Sequence, residues 1–158
     1  MINLFRDDDV SKYTDIQTFL KIHDLFKKYK KVHTCAVEMD GLFDSRGVWH
    51  LLQTEPLIEI GLHGWTHKDY SILSYDEICD DFKKSLDYWN SHSYEGYGKV
   101  IQIKTYYPTW NRVSDNLMRA CATYRLKLDA RVGGEVFNFH WWNFITDMDG
   151  LKKALRTT

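Results

Sequence analysis

Apolar and polar positions alternate along the chain with two different periods. Ile2 to Phe5 is a short apolar run closed by Arg6-Asp7-Asp8-Asp9 and predicts a first strand. Ile16, Phe19, Leu20 and Phe26 recur at helical spacing; Thr14 with Gln17 forms a capping-box signature ahead of them, and a Lys-rich end near Lys31 closes the helix. Val32 to Met39 reads as a second strand, Leu42 to Gln53 as a short helix stopped before Pro56, and Leu57 to Leu62 as a third strand. Ser74 with Glu77 caps a longer helix carrying Ile78, Phe82, Leu86 and Trp89 on one face, and Ser91 to Gly98 reads as a turn-rich connection. Val100 to Lys104 predicts a fourth strand and Ser114 to Tyr124 a helix. Leu126 to Leu128 and Val136 to Phe139 predict two last strands separated by Gly133-Gly134, and Asp147 is expected to cap a closing helix from Leu151 to Arg156.

Strands alternating with helices imply an α/β fold with mostly parallel strands, either open or closed into a barrel. An eight-fold barrel takes about 250 residues. A chain of 158 residues, with no internal repeat or linker, can form only a reduced or incomplete (β/α) barrel, and residues 1–158 are expected to make a single domain. In a parallel arrangement the residues that follow each strand collect at one end of the sheet. Asp7 to Asp9 follow the first strand, His63 and His67 the third, Tyr107 to Asn111 the fourth, and His140 ends the last. Their convergence is the main physical argument for an active site.

Composition narrows the partners. With 44% apolar residues and a net charge of -1 the chain should fold, and no basic field points to nucleic acid or an anionic membrane. Aromatics reach 15%, which suits a core but also a flat or carbohydrate ligand. Cys35, Cys79 and Cys121 are scattered and form no CxxC pair, so reduced, buried thiols are expected rather than disulfides or a cysteine zinc site. The first residues lack a signal-peptide core and no apolar run has membrane-spanning length, making the cytoplasm the default compartment.

The informative stretch is Ile58 to His67. An apolar strand ends at Gly61, and two histidines, His63 and His67, follow at i and i+4 with Gly64 between them. Gly64 and the missing glutamate after the first histidine favour a loop over the helix of a zinc protease. The pair alone fits two unrelated loop histidines as well, and a metal site needs a third ligand. Asp7-Asp8-Asp9 repel one another and are costly at a closed strand end without a cation, although a solvated, helix-capping turn would also accept them. One aspartate with His63 and His67 completes a two-His, one-carboxylate set with open positions, and a neighbouring aspartate is then free to act as general base.

These motifs resemble the polysaccharide deacetylase family, the NodB-homology or carbohydrate esterase 4 group, and in particular its small members with Arg ahead of the Asp pair. Asp8-Asp9 is similar to the paired aspartates of motif one, and His63-Gly64-Trp65-Thr66-His67 to motif two, with Gly64 in place of Ser or Thr. Tyr107-Pro108-Thr109-Trp110-Asn111 resembles the Arg-Pro-Pro-Tyr-Gly loop of motif three, and Phe137-Asn138-Phe139-His140-Trp141 the late strand with the catalytic histidine. The resemblance spans nearly the whole chain and implies a NodB-type incomplete barrel. It implies a metal-dependent deacetylase acting on an amide in an acetylated carbohydrate or small N-acyl compound. Asp9, His63 and His67 would hold Zn²⁺, or another divalent ion such as Co²⁺ or Ni²⁺. Asp8 would be the base, the Trp110 backbone N–H an oxyanion donor, and His140 the acid for the leaving amine.

Departures from the pattern leave questions open. Tyr107 stands where the family has an arginine that tunes the base, and Arg6, Arg112 and Arg131 are all candidates to replace it. Asp129 is a candidate for the motif-four aspartate. Asp7-Asp8 is a competing register for motif one, although Asp8-Asp9 is preferred because Val10 then returns to the core. Tyr107 and Trp110 are expected to face the cleft and stack on a sugar ring. An inactive metal-containing carbohydrate-binding module stays open as an alternative. A 2-His-1-carboxylate iron oxygenase has the ligand set but a different, all-β scaffold.

Overall fold

The computed structural model describes residues 2–157. Six strands, β1 (Leu4–Val10), β2 (His33–Val37), β3 (Ile58–Leu62), β4 (Thr105–Tyr106), β5 (Lys127–Leu128) and β6 (Val136–His140), form a sheet in the order β5-β4-β3-β2-β1-β6. All of these pairings are parallel. The sheet curls into an incomplete (β/α) barrel, as the alternating pattern predicts. The chain steps from strand to neighbouring strand as far as β5, then returns across the opening to lay β6 beside β1. The barrel is therefore open between β5 and β6.

Helices α1 (Ile16–Tyr29), α2 (Arg46–Thr54), α3 (Tyr75–Tyr97), α4 (Asp115–Thr123) and α5 (Asp149–Arg156) complete the fold. Their apolar faces pack into a main core containing Trp49, Leu52, Ile78, Phe82, Trp89, Tyr106 and Leu117, and a second core of Phe5, Ile22, Phe26, Phe139 and Leu151 under α1 and α5. Most of the aromatic excess fills these cores.

Several boundaries differ from the pattern, for local reasons. β1 runs through the polar segment to Val10 because Arg6 pairs with Asp8 and Asp7 meets His33 inside the fold. Asp15, not Thr14, caps α1 by accepting from the Thr18 N–H, while the Thr14 hydroxyl accepts from the Ser11 N–H at 2.9 Å. The segment Leu42 to Gln53 is broken at Ser45 into a 3-10 turn (Leu42–Asp44) and α2. The Ser74–Glu77 capping box is present, but α3 continues through Ser91 to Tyr97 and stops at Gly98, whose φ is 64°. Residues 101–104 carry no strand, and β4 is only Thr105–Tyr106; the Trp89 indole N–H donates to the Ile101 carbonyl at 2.7 Å and ties this apolar segment to α3. The closing helix begins at Asp149, with Met148 as its N-cap and the Asp147 carboxylate accepting from the Asp149 N–H. Cys35 and Cys121 are buried free thiols, and Cys79 is half-buried. Among the described residues no helix is long and apolar enough to cross a membrane.

Candidate active site

The site forms at the carboxyl end of β1, β3 and β6. Along β1, Arg6 and Asp8 project to the inside of the open barrel, and Asp7 projects to the other side against β2 and α1. Strict alternation would send Asp9 after Asp7. Instead Asp9 takes φ 60°, the ladder to β2 slips between Asp7 and Val10, and Asp9 joins Asp8 in lining one cavity of about 290 Å³. A left-handed aspartate costs roughly 1–2 kcal/mol, so the surrounding contacts must hold it there.

Asp7 does not reach this cavity. It is fully buried, with Oδ2 3.4 Å from His33 Nε2, and the His33 ring stacks on Phe26 at 4.4 Å. Burial, reinforced by Asp8, drives the Asp7 carboxyl well up, while burial drives His33 well down, so the two share a hydrogen bond as neutral groups. The competing register for motif one is thereby at odds with the geometry.

His63 and His67 bring their Nε2 atoms to 3.0 and 3.1 Å from Asp9 Oδ1. Ligand atoms from all three residues lie within 4.8 Å of one another. The Tyr107 carbonyl is 2.6 Å from His63 Nδ1, so Nδ1–H donates to it and Nε2 is turned to the cluster. The loop from His63 to Lys68 is fixed from several sides. The Trp65 N–H donates to Asp81 at 2.9 Å, the Tyr70 hydroxyl donates to the same carboxylate at 2.6 Å, and Lys68 pairs with Asp81. Gly64 has φ 108°, and a Cβ there would lie 2.3 Å from the Tyr70 hydroxyl, which is why neither Ser nor Thr fits this loop.

The donor set fits a divalent cation. Each histidine Nε2 faces the same carboxylate oxygen, and that oxygen is buried without a hydrogen-bond donor besides these rings. With Nδ1–H committed to a carbonyl, His63 can donate to Asp9 only as an imidazolium, and a cation could replace the protons on both rings. Burial alone would raise the Asp9 carboxyl, but the hydrogen bonds from His63 and His67 reverse this and hold it well below the usual carboxylate range. The hydrogen bond to Asp9, only partly offset by burial, raises His67 above its ordinary value. A divalent ion held here would therefore compete with a proton at His67. Metal affinity should fall as pH drops below the raised His67 range, by about tenfold per unit for one displaced proton. Titration calorimetry with Zn²⁺ across pH checks this, and an affinity flat between pH 5 and 8 would contradict it.

Asp8 is held by Arg6, from the same strand. Arg6 Nε is 2.8 Å from Asp8 Oδ1 and Nη2 is 3.0 Å from Oδ2. The guanidinium lies over the Tyr107 ring at 4.9 Å, and Nη1 reaches the Asp129 and Arg131 carbonyls, both at 3.4 Å, spanning the opening between β5 and β6. Of the three candidate arginines Arg6 is the one on Asp8; Arg112 pairs with Asp69 and Arg131 with Asp129. The Asp129 side chain thus serves Arg131, and only its carbonyl touches Arg6.

Tyr107 departs from expectation. At 3% exposure it is buried beneath Arg6 instead of facing the cleft, in space left by Gly61, where a Cβ would lie 2.3 Å from its ring. Trp110 does line the cavity, 53% exposed, with its ring 4.4 Å from that of His67. His140 also lines it, with Nε2 3.4 Å from Asp9 Oδ2 and its ring stacked on the 42% exposed Trp142 at 4.5 Å. Two asparagines also line the cavity. Asn138 Nδ2 donates to Asp8 Oδ2 at 2.7 Å, and Asn111 Oδ1 accepts from Arg6 Nη2 at 2.7 Å. Asn138 stands two residues before His140, so strand alternation was the signal that could have found it.

A parallel half-barrel with this convergence at its carboxyl end defines the class: the chain has the polysaccharide deacetylase fold of the family 4 carbohydrate esterases, in divergent form. No family model and no curated protein matches the sequence. Among solved structures it is similar to peptidoglycan deacetylase PdaC from Bacillus subtilis, with TM-score 0.72 and 17% identity, covering 98% of this chain and 81% of that one. It is also similar to a family 4 pseudoenzyme from Bacillus anthracis, with TM-score 0.72 and 14% identity over 99% of this chain and 62% of that one. An acetyl xylan esterase from Clostridium thermocellum, solved with a cobalt ion, gives TM-score 0.65 and 16% identity over 97% and 79% of the two chains. At these identities the likeness shows the fold.

Proposed function

We propose that the chain is a metal-dependent hydrolase that removes an acetyl or related acyl group from the nitrogen of an N-acylated sugar or similar amide. One observation carries this reading: a three-residue N,N,O donor set, a separate, arginine-clamped carboxylate and the His140 imidazole line one cavity. Asp9, His63 and His67 would hold Zn²⁺, Co²⁺ or Ni²⁺. The bound ion would supply Lewis acidity, easing loss of a proton from water and polarising the acyl carbonyl.

Asp8 is the base in this reading. Arg6 and Asn138 donate to its oxygens and hold it as an oriented carboxylate at the cavity wall, from which it takes a proton from the attacking water. The Trp110 N–H would face the developing oxyanion. An amine leaves poorly as an anion, so His140, at the cavity wall, gives it a proton. The exposed Trp110 lines the cavity and the exposed Trp142 stacks on His140 beside it, and such indole surface suits a pyranose ring. The names of the structural neighbours, a peptidoglycan deacetylase and an acetyl xylan esterase, agree with an acylated carbohydrate.

Acetate release from a panel of N- and O-acetylated sugars, with metal analysis of the same preparation, tests the proposal. Metal bound at one equivalent with no release across the panel would favour a non-catalytic metal-containing module instead. That second reading has support in the pseudoenzyme neighbour and in Tyr107 standing at the motif-three arginine.

The acid role makes its own prediction. His140→Ala should lower kcat on an amide by roughly 10²–10⁴-fold. The loss should shrink on an activated aryl ester, whose leaving group needs no proton. Equal losses on both substrates, with a lowered melting temperature, would make His140 structural.

A further inference from the structure

We propose that Asn111 is a positioning residue that couples the Trp110 loop to the base Asp8 through the Arg6 guanidinium, an inference that rests on the hydrolase reading of the site. Trp110 and Asn111 have φ 49° and 56°, so two successive non-glycine residues occupy the left-handed region. L-residues stay there only where their surroundings over-determine the conformation. In the loop pattern that Tyr107 to Asn111 resembles, the last position is glycine, which would meet the dihedral demand at lower cost. What asparagine adds is an acceptor. Its Oδ1 lies 2.7 Å from Arg6 Nη2, the same nitrogen that donates to Asp8 Oδ2 at 3.0 Å.

The other end of the loop grips the same guanidinium, since the Tyr107 ring lies under its face at 4.9 Å. Both ends of the loop therefore hold Arg6, one by stacking and one by a charge-assisted hydrogen bond. In the resembling pattern an arginine at the head of this loop reaches the base from the loop itself. Here the arginine comes from β1, and Tyr107 and Asn111 together supply the connection from loop to base. Through it, the orientation of Trp110 beside His67 is tied to the orientation of Asp8.

Asn111→Gly and Asn111→Asp separate this role from a backbone one. Glycine keeps the φ and loses the acceptor; aspartate keeps an acceptor of the same reach. The readouts are kcat and KM on an N-acetylated hexosamine oligomer, the melting temperature, and the Trp110 indole N–H resonance, assigned with Trp110→Phe. The glycine variant should move and broaden that resonance and lower kcat roughly 10- to 100-fold with little change in KM, the scale of one hydrogen bond to a charged group. The aspartate variant should keep the resonance in place and recover most of the turnover. An unmoved resonance in the glycine variant, with an equal or higher melting temperature, overturns the proposal, as does a resonance displaced equally by aspartate. Absence of turnover in the unaltered protein would count against the hydrolase reading alone, because the resonance reports the coupling without substrate.

Discussion

On the proposed hydrolase reading, Asp8→Asn should lower turnover by roughly 10²–10⁴-fold while a divalent ion still binds, and Asp9→Asn should weaken the binding of that ion itself. The two neighbours differ in what faces them. Arg6 and Asn138 occupy both Asp8 oxygens, while the Asp9 oxygen that meets His63 and His67 has no other donor. An asparagine at position 8 accepts no proton at neutral pH and turns an amide N–H₂ toward a guanidinium that also donates. At position 9 the same change removes the only negative charge from the N,N,O set. Metal content by atomic absorption and initial rates on the same samples decide the matter. Loss of metal from Asp8→Asn with retention by Asp9→Asn would reverse the assignment.

Arg6→Met should destabilise the fold by about 3–5 kcal/mol at neutral pH, the usual cost of removing one member of a buried ion pair. Arg6 has no exposed surface and Asp8 is 4% exposed, so water cannot take over the lost contacts. The carbonyls of Asp129 and Arg131 and the Asn111 side chain would also lose their donor, which loosens the opening between β5 and β6. Adding Asp8→Asn to Arg6→Met should recover much of the loss, because replacing both members leaves no unpaired charge. Urea denaturation of the two single variants and the double measures this. A double variant as unstable as the sum of the single losses would show that the pair is not the source of the effect.

The sequence by itself determined the alternation of strands and helices, the parallel sheet and the end at which polar residues collect. These follow from periodicity and chain direction, which are local properties. His63-Gly64-Trp65-Thr66-His67 was legible for the same reason, since two histidines after a buried strand must emerge at one place. Only the tertiary structure decided how Arg6-Asp7-Asp8-Asp9 is divided. Read alone, four charged residues end a strand. In the fold they continue it, because Arg6 and Asp8 neutralise each other inside the barrel and Asp7 meets His33, 26 positions away. The left-handed turn at Asp9 is equally invisible in the residue types, yet it brings Asp9 to His63 and His67. Tyr107 shows the same limit from the other side. Its position in the loop suggested a face toward ligand, but the space opened by Gly61 and the charge of Arg6 draw it inward. Arg6 meets Asp8 two residues along the same strand, but what fixes its guanidinium depends on contacts more than a hundred residues apart, such as Arg6 with Asn111 at a separation of 105. No local pattern encodes such a contact; it exists only once β1 and the loop after β4 close on the same cavity.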